Sequence, residues 1–362
     1  MKLGINALNI LSGGGLTYIY NLINNFDKKK SSFDQIVIWG NKKNLGKLPD
    51  KSYIKKVNVN KSRLPFFDFF WSLFLLEKYS KKECCNVTFC PAATSLFFSK
   101  KLVVANLNLL PFNFQQILKC GISILTVRLI MLRILNKISF KLASRVIFLT
   151  NYTKKKKFSN IKGTVIALGI DNKFDYKPHN KKFKKNKLTY FYNSTIFPYK
   201  NHLNVLKAFI EHIKIYPDNK LIILGDGPNI FKKKIINQLK KIPKKNISYK
   251  SNVSFNKLLQ LYKNSDVKIF ASSCEAFPNI ILETIKSSLP LITSKIPQIK
   301  SIIQNKAVYF DEKNYLDILY CMNKIVDINL RKKIAKEAYY FSKKFSWKKM
   351  ATKTFKVLEQ NS

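Results

Sequence analysis

The stretch SSCEAFPNIILET, residues 272 to 284, decides the fold of this chain and its predicted site. It follows a short run, DVKIFA at 266 to 271, whose β-branched and aromatic residues are typical of a buried strand. From Asn279 onward, apolar residues recur at helical spacing, which predicts that a helix begins there. A strand, a turn and a helix in this order form the repeating unit of an α/β sheet.

Two carboxylates mark this stretch, Glu275 in the turn and Glu283 on the helix. In an α/β sheet, ligands bind beyond the carboxyl ends of the strands, where helix N-termini also point. Free N–H groups near Phe277 and Asn279, with the helix dipole behind them, would favour a phosphate. Glu283 lies roughly 6 Å further along the helix and could reach a ribose diol. The alternative is a surface loop with two solvated acids, and the spacing alone leaves both open.

Length and composition indicate two folded domains. The chain has 362 residues, and this length is more than one hydrophobic core usually supports. With 46% hydrophobic and 13% aromatic residues, it can bury cores of considerable size. Its six cysteines lack the spacing of a metal site, and the adjacent Cys84 and Cys85 are poor disulfide partners. The sequence shows neither a signal-peptide pattern nor an apolar run long enough to span a membrane. We therefore expect a reduced, cytoplasmic protein.

The net charge of +46 calls for an anionic partner or for another explanation. Only five of the 66 basic residues are arginine, the preferred reader of phosphates and bases, which argues against nucleic acid. The lysines are spread over the whole chain, as a genome-wide compositional bias would produce. The other explanation is an anionic membrane surface, to which each nearby lysine contributes about 1 kcal/mol. The sequence leaves both explanations open.

Alternating strands and helices predict a parallel, doubly wound sheet in each half. The first half opens with a strand at 2–7, a loop ending in three glycines at 13–15, and an amphipathic helix from Leu16. This order suits a phosphate, because glycine lets the backbone approach a ligand closely. The strand at 35–39 lacks the acid that would hold an NAD ribose, which counts against a dehydrogenase. Further strands are predicted at 57–59, 87–89, 102–107, 146–149 and 165–168.

A polar, lysine-rich segment at 171–187, which contains Pro178, is the predicted linker. A second series of strands and helices follows it and completes the chain. The predicted strands of this half are 189–192, 221–224, 247–249, 267–271, 291–293 and 308–310. The predicted helices, apart from the one that begins at Asn279, are 202–215, 229–241, 254–263, 313–325, 329–343 and 347–359.

Two apolar segments of the first half admit two interpretations. Residues 64–76, LPFFDFFWSLFLL, are apolar on every side of a predicted helix, and residues 117–135 combine apolar side chains with Lys119, Arg128 and Arg133. A helix that is apolar all round usually belongs to a core. The other interpretation is a membrane-facing or lipid-binding surface whose basic side chains reach the headgroups.

Seven stretches, in order, resemble the large family of retaining glycosyltransferases with the GT-B fold, often called group 1 or family 4. The pair of glutamates separated by seven residues is the most recognisable mark of that family, and the pattern is most similar to bacterial members that build surface polysaccharide. The resemblance covers nearly the whole chain. The stretches are GGG at 13–15, NLLPF at 108–112, VIFLTNYT at 146–153, LGID at 168–171, STIFPYKN at 194–201, ILGDGP at 223–228 and SSCEAFPNIILET at 272–284.

The resemblance implies two doubly wound, Rossmann-like domains that face a central cleft. Residues 1–172 would bind the acceptor, residues 173–345 would bind a nucleotide-sugar donor, and residues 346–362 would form a helix packed back on the first domain. The implied reaction moves a sugar onto a lipid-linked oligosaccharide or a surface polysaccharide such as lipopolysaccharide, O-antigen or capsule, with retained anomeric configuration. It would take place in the cytoplasm or peripherally on the inner face of the membrane.

The resemblance also implies roles for single residues. Glu283 would bind the ribose hydroxyls of the donor. Lys200 would contact the phosphates and Glu275 would hold the donor sugar, and these two residues would form the catalytic pair. Asn108 lies nearest to an acceptor-side histidine of many relatives, whereas His202 and the other histidines of this chain are expected to be ordinary surface or helix residues. Further donor-binding residues are implied at Gly14, Gly15, Ser194, Thr195, Ala276, Phe277, Pro278 and Asn279.

Several features set this chain apart from the family pattern. It has no Asp-x-Asp motif, so we expect no metal and no other cofactor, with Lys200 and backbone donors in the place of the metal. Ser194 and Thr195 stand where many relatives carry an arginine. Asn108 cannot act as a general base, so the departing phosphate would take the proton of the acceptor. A catalytically degenerate relative and a basic membrane- or polyanion-binding protein remain the alternatives.

Overall fold

The computed structural model describes residues 1–8, 10, 13–59, 70–92, 94–97 and 101–362. These residues form two compact units, each built on a parallel sheet. The predicted fold class, two Rossmann-like α/β domains, is thereby confirmed. Unit 1 consists of Met1–Phe112, Ser123–Gly169 and Phe345–Ser362, and unit 2 consists of Asn113–Ile122 and Ile170–Lys344.

The sheet of unit 1 is built from short, mostly buried aliphatic strands. They are β1 (Lys2–Asn6), β2 (Gln35–Gly40), β3 (Ile54–Asn58), β4 (Val87–Cys90), β5 (Leu102–Ala105), β6 (Arg145–Phe148) and β7 (Gly163–Val165). Their order across the sheet is β3-β2-β1-β4-β5-β6-β7, with every pair parallel. The chain thus winds outward from β1 in both directions, as in a doubly wound fold.

Two strands of unit 1 differ from the prediction. β3 begins at Ile54, before the apolar run that predicted it, because its first residues pair with β2 although two of them are lysines. β7 ends at Val165, where the sequence predicted its beginning. Pairing starts at Gly163, where the absence of a side chain lets the backbone approach β6 closely. A Cβ at this position would lie 2.4 Å from the ring of Phe148, so only glycine fits there. Ile166 and Leu168, which were predicted to belong to the strand, are buried outside the ladder.

Some of the described α-helices of unit 1 begin at a residue whose side chain caps the first turn. Ser123 and Ser346 each accept a hydrogen bond from the N–H three residues on, which fixes the starts of the two longest helices. Numbered in chain order over both units, the helices of unit 1 are α1 (Gly14–Asn24), α2 (Lys42–Leu45), α3 (Leu76–Lys82), α5 (Ile124–Leu142) and α13 (Trp347–Glu359).

The last helix, α13, completes unit 1. The ring of Phe355 lies 4.6 Å from that of Phe26 between centroids, and Glu359 accepts hydrogen bonds from Ser31 Oγ at 2.6 Å and Ser32 N at 2.9 Å. The chain enters this helix past Gly169, whose Cα lies against the backbone of Trp347. The helix that the family resemblance placed on the first domain therefore lies within unit 1.

The sheet of unit 2 has its own centre. Its strands are β8 (Thr189–Asn193), β9 (Lys220–Leu224), β10 (Ile247–Lys250), β11 (Val267–Phe270), β12 (Leu291–Ser294) and β13 (Val308–Phe310). Their order is β10-β9-β8-β11-β12-β13, again with every pair parallel. The winding direction reverses between β8 and β11. In open α/β sheets, ligands bind at the carboxyl edge of this switch point.

Most helices of unit 2 agree with the prediction, and the helix over 202–215 agrees at both ends. Two short helices were not predicted, Phe114–Leu118 and Pro297–Ile303. The first lies within residues 1–172, which the sequence division placed in one domain. The segment Asn113–Ile122 belongs to unit 2, where Lys119 lines one cavity with Phe197 and Ile235. The helices are α4 (Phe114–Leu118), α6 (His202–Ile215), α7 (Asn229–Leu239), α8 (Phe255–Asn264), α9 (Asn279–Lys286), α10 (Pro297–Ile303), α11 (Tyr315–Lys324) and α12 (Ile328–Ser342).

Short helical turns complete the described secondary structure. Two of them have π-helical hydrogen bonding, Trp71–Leu75 and Thr153–Lys157. The others are of the tighter 3₁₀ type, and two of these lie in the predicted linker. They are Lys28–Lys30, Leu110–Phe112, Asn172–Phe174, Pro178–Asn180, Pro198–Lys200 and Lys244–Asn246.

The segment LPFFDFFWSLFLL is described only in its second half, because residues 60–69 lie outside the described residues. Trp71 and Leu76 are buried in the core of unit 1, as the core interpretation predicts. Phe70 and Phe74 are more than half exposed, and their ring centroids lie 4.9 Å apart. None of the helices formed by the described residues has the length and apolar character that crossing a membrane requires.

Replacing Gly169 by alanine should destabilise unit 1. A Cβ at this position would lie 2.1 Å from the backbone N of Trp347, so the entry into α13 would have to shift, at a cost of roughly 1–3 kcal/mol. Trp39, Trp71 and Trp347 are the three tryptophans of the chain and all belong to unit 1. Urea unfolding followed by tryptophan fluorescence therefore reports on this unit alone.

Gly46→Ala is the matched control for Gly169→Ala. Its added Cβ would meet the carbonyl O of Lys42 at an ordinary 3.4 Å, and the φ of Gly46 is −67°. We expect an unchanged or slightly higher unfolding midpoint for this control. Equal midpoints for both variants would contradict the packing of Gly169 against α13.

Candidate active site

The loops that follow β8 and β11 are fastened to each other at the switch point of unit 2. The side-chain amide of Asn201 donates to the carbonyl O of Ala271 at 2.7 Å and to Ser273 Oγ at 2.8 Å. In return, the backbone N–H of Ser273 donates to the carbonyl O of Tyr199 at 2.8 Å. These bonds make the two loops one structural element at the edge where a ligand is expected.

Asn201 holds a backbone conformation that few residues adopt. Its φ of +54° places it in the left-handed region, which asparagine tolerates better than most other non-glycine residues. It ends the 3₁₀ turn Pro198–Lys200 and precedes α6. The hydroxyl of Tyr192, on β8, donates to the carbonyl O of Lys200 and secures the same turn. The turn in STIFPYKN is therefore fixed on both sides.

The glycines of ILGDGP are required by close approach of this loop. A Cβ on Gly225 would lie 1.8 Å from the carbonyl O of Ser194, and one on Gly227 would lie 2.3 Å from that of Ile196. The backbone N–H of Ile196 also donates to the carbonyl O of Asp226 at 2.8 Å. The motif thus shapes the turn after β9 and supports the loop after β8.

Lys200 and Glu275 form an ion pair on the joined loops, with Lys200 Nζ donating to Glu275 Oε1. Their side chains are only 10% and 15% exposed. Nζ also lies 4.9 Å from the ring centroid of Tyr199 and 5.7 Å from that of Phe270. Burial lowers the pKa of Lys200, but Glu275 and Tyr199 outweigh it and raise that pKa above its ordinary value. Lys200 is therefore a charged ammonium that Glu275 holds in a fixed position.

The predicted diphosphate-binding segment leads directly into α9. Ala276, Phe277 and Pro278 are buried without regular secondary structure, and the helix begins at Asn279 as predicted. Pro278 is the N-cap residue and offers no capping side chain to the first turn. The N–H groups of a first helical turn have no partners within the helix, and the dipole of the helix favours an anion there.

Glu283 lies one turn into α9 and is partly buried. Its Oε2 accepts a hydrogen bond from the hydroxyl of Tyr262, on α8, at 2.7 Å. Burial raises the pKa of Glu283, while the Tyr262 hydroxyl and the charge of Lys268 act in the opposite direction. The sequence did not predict either Tyr262 or Lys268 as a partner. The one signal was a lysine inside the otherwise apolar strand VKIF.

Unit 2 brings nine of the predicted site residues to one edge of its sheet, and three lie in unit 1. Gly14 and Gly15 form the first turn of α1, which begins two residues before the predicted start and follows Gly13 at φ +65°. Asn108 is exposed, and its Oδ1 accepts from the N–H of Leu110 at 2.9 Å. The nine in unit 2 are Ser194, Thr195, Lys200, Glu275, Ala276, Phe277, Pro278, Asn279 and Glu283.

Two of the three histidines are buried helix residues rather than surface residues. His202 and His212 both belong to α6, and burial lowers the pKa of His202 to about 3. His212 is held by Asn323 at 2.7 Å and by Asn219 at 2.9 Å. Across the described ranges, no three His, Cys, Asp or Glu side chains cluster as a metal site would require.

Comparison of the sequence with known protein families gives a match within unit 2. Residues 173–341 match the family model "Glycosyl transferases group 1". The phosphatidylinositol N-acetylglucosaminyltransferase GPI3 subunit of Saccharomyces cerevisiae is 21% identical over 51% of this chain and 42% of that protein. The serotype-specific mannosyltransferase WbdA of Escherichia coli is 34% identical over 34% of this chain and 15% of that protein. The chain thus spans less than half the length of these curated relatives.

Solved structures extend the comparison to the whole chain. Sucrose-phosphate synthase from Thermosynechococcus elongatus superposes with a TM-score of 0.79 at 12% identity, over 99% of this chain and 98% of that chain. WaaG, a glycosyltransferase involved in lipopolysaccharide biosynthesis, gives a TM-score of 0.72 at 12% identity, over 98% and 99%. Such identities establish the fold alone. The chain therefore has the GT-B fold along its length, and its residues 173–341 match the group 1 glycosyl transferase family, as the sequence motifs predicted.

Proposed function

We propose that this protein is a retaining glycosyltransferase that moves a sugar from a nucleotide-sugar donor to a lipid-linked oligosaccharide or a growing surface polysaccharide. The observation that carries the proposal is the placement of Lys200, Glu275 and Glu283 at the carboxyl edge of the switch point in unit 2. Names of relatives support the acceptor class. They refer to phosphatidylinositol, to an O-antigen chain and to a diphosphoundecaprenol-linked GlcNAc.

The donor diphosphate would bind between the ammonium of Lys200 and the first turn of α9. Cleavage of the glycosyl bond develops negative charge on the leaving phosphate oxygens, and an ammonium fixed beforehand stabilises that charge as it grows. Glu275 holds this ammonium in place and lies beside the expected position of the donor sugar. A solved relative, HepE of Anabaena, was crystallised with UDP and glucose, which supports a nucleotide-sugar donor.

The acceptor hydroxyl would lose its proton to the departing phosphate. Asn108 has no basic group, and its Oδ1 already accepts from Leu110 N, so it would position the acceptor at most. Attack from the face that the phosphate leaves preserves the anomeric configuration. This step needs no protein base, so the missing histidine would not make the enzyme inactive.

Unit 1, which would bind the acceptor, would dock on an anionic membrane surface through α5. Exposed apolar side chains recur along this helix at Ile124, Val127, Met131, Ile134 and Ile138, with exposed fractions from 37% to 81%. Their spacing of three or four residues places them on one stripe. The same helix carries Arg128, Arg133, Lys137 and Lys141 and no acid, so its own charge is positive, as attraction to anionic lipids requires.

Substitutions should separate the roles of Lys200 and Glu283 in steady-state kinetics. Lys200→Ala should lower kcat by about 100- to 1,000-fold, because it removes a fixed donor to a developing charge. Glu283→Gln should raise the KM of the donor and leave kcat nearly unchanged, because the ribose contact is equal in ground and transition states. Lys207→Ala, at an exposed position of α6, is the control.

The opposite pattern would contradict this assignment. A Lys200→Ala variant that changes only the donor KM would remove Lys200 from the chemical step. If the wild-type protein transfers no sugar while it binds donor, the protein is the catalytically degenerate relative.

Transfer should be independent of divalent metal, since no Asp-x-Asp motif is present and Lys200 would supply the positive charge at the diphosphate. We expect equal rates in excess EDTA and in added Mn²⁺, measured as release of nucleoside diphosphate. A rate that falls in EDTA and returns with Mn²⁺ would show that a metal, rather than Lys200, carries this charge.

Membrane docking predicts co-sedimentation with vesicles that contain anionic lipid. Binding at low salt should be lost at 1 M salt, where the Debye length falls to about 3 Å. The double variant Val127→Glu, Ile134→Glu should also lose it, because each glutamate places an acid on the apolar stripe. Ile215→Glu, 58% exposed at the end of α6 in unit 2, is the control. Equal sedimentation of both variants and wild type would contradict docking through α5.

A further inference from the structure

Lys268 lies at the centre of unit 2, and its side chain is fully buried. Side chains alternate along β11, so its neighbours Val267 and Ile269 belong to the main core cluster on one face. Lys268 points to the other face, where its Nζ lies 4.2 Å from the ring centroid of Phe191 and 5.8 Å from that of Tyr262. Lysine is rarely buried without a compensating partner.

The surroundings of Lys268 Nζ suit an ammonium. It donates to the carbonyl O of Phe191 at 3.3 Å and to Oδ1 of Asn193, both of which are acceptors. The face of the Phe191 ring also attracts a cation. An ammonium has three donors and no lone pair, whereas a neutral amine would bring a lone pair into a set of acceptors. Geometry therefore favours the charged form at this position.

The carboxylate whose charge acts on Lys268 is that of Glu283, and Tyr262 connects the two. The hydroxyl of Tyr262 donates to Glu283 Oε2, and its ring lies beside Lys268 Nζ. Burial lowers the pKa of Lys268 well below its ordinary value, and Glu283 opposes this. Burial raises the pKa of Glu283, as does the charge of Asp171, while Tyr262 and Lys268 lower it. Each group thus helps the other to stay charged.

We propose that Lys268 is a positioning residue for the donor: its buried ammonium keeps Glu283 ionised, and Tyr262 holds one carboxylate oxygen so that the other faces the ribose hydroxyls. The inference rests on the proposed function and extends it to the nucleoside diol. An ionised carboxylate accepts hydrogen bonds from both hydroxyls of a diol. A protonated one would use one oxygen as a donor. Lys268 does not itself touch the donor.

The test is Lys268→Met, which keeps an unbranched side chain and removes the charge. Without the ammonium the pKa of Glu283 rises, so the carboxyl is protonated over a wider range at low pH. The donor KM should therefore be high below the new pKa and return toward the wild-type value above it. Each unit by which that pKa rises corresponds to about a tenfold KM difference at low pH. The kcat should stay nearly constant, and Lys257→Met, exposed on α8, should match wild type.

A double variant distinguishes action through Glu283 from a general effect on packing. In a Glu283→Gln background, Lys268→Met should not raise the donor KM further, because there is no carboxylate left to keep ionised. Additive effects, or a pH-independent KM in Lys268→Met, would overturn the inference. If Lys268→Met does not fold, Lys268→Gln offers a polar side chain without charge for the same measurements.

Titration of Glu283 by ¹³C NMR gives a result that does not depend on activity. The signal is assigned by its loss in Glu283→Gln, and its pKa should be higher in Lys268→Met than in wild type. An unchanged pKa overturns the inference even if the wild-type protein transfers sugar. A raised pKa in a protein that binds no nucleotide sugar would instead overturn the proposed function, and with it the link to the donor.

Discussion

The candidate site depends on the bonds that join the loops after β8 and β11. Asn201 donates to Ala271 and Ser273 across the point where the sheet reverses its winding, and Ser273 returns a bond to Tyr199. Lys200 is the residue between Tyr199 and Asn201, so its position follows from this tie. Glu275 lies two residues beyond Ser273, which brings the two charges together. The ion pair is therefore a consequence of the sheet topology.

The sequence was sufficient for the features that depend on local pattern. The strands of unit 2 are short β-branched and aromatic runs whose ends are clear, and the helix over 202–215 and the start of α9 at Asn279 agree with prediction. The resemblance in STIFPYKN and SSCEAFPNIILET also identified Lys200, Glu275 and Glu283, which the structure brings to one edge. The predicted boundaries of a strand were wrong where contacts with neighbouring strands decide them. For example, β7 begins at Gly163, two residues before its predicted start, because glycine fits beside Phe148.

Other features could not be predicted, because they arise from contacts between distant parts of the chain. The segment Asn113–Ile122 follows the first half in sequence but packs with unit 2. A chain rich in lysine gives no reason to select Lys268, and only its place inside β11 shows that its charge is buried beside Tyr262 and Glu283. The apolar surface of α5 likewise depends on which of its side chains the fold leaves exposed. Sequence alone favoured a core helix and left a membrane-facing surface as the other interpretation.

The most direct test of the account is the thermal stability of the protein with UDP-, GDP- and ADP-sugars, measured in EDTA for wild type and Glu283→Gln. A ligand that binds the folded state raises stability by about 2.7 kcal/mol at one hundred times its Kd. We predict that at least one nucleotide sugar raises the melting temperature of wild type, and that the same concentration raises it less in Glu283→Gln. The absence of any shift with every sugar nucleotide, in EDTA and in added Mn²⁺, would contradict a donor site in unit 2.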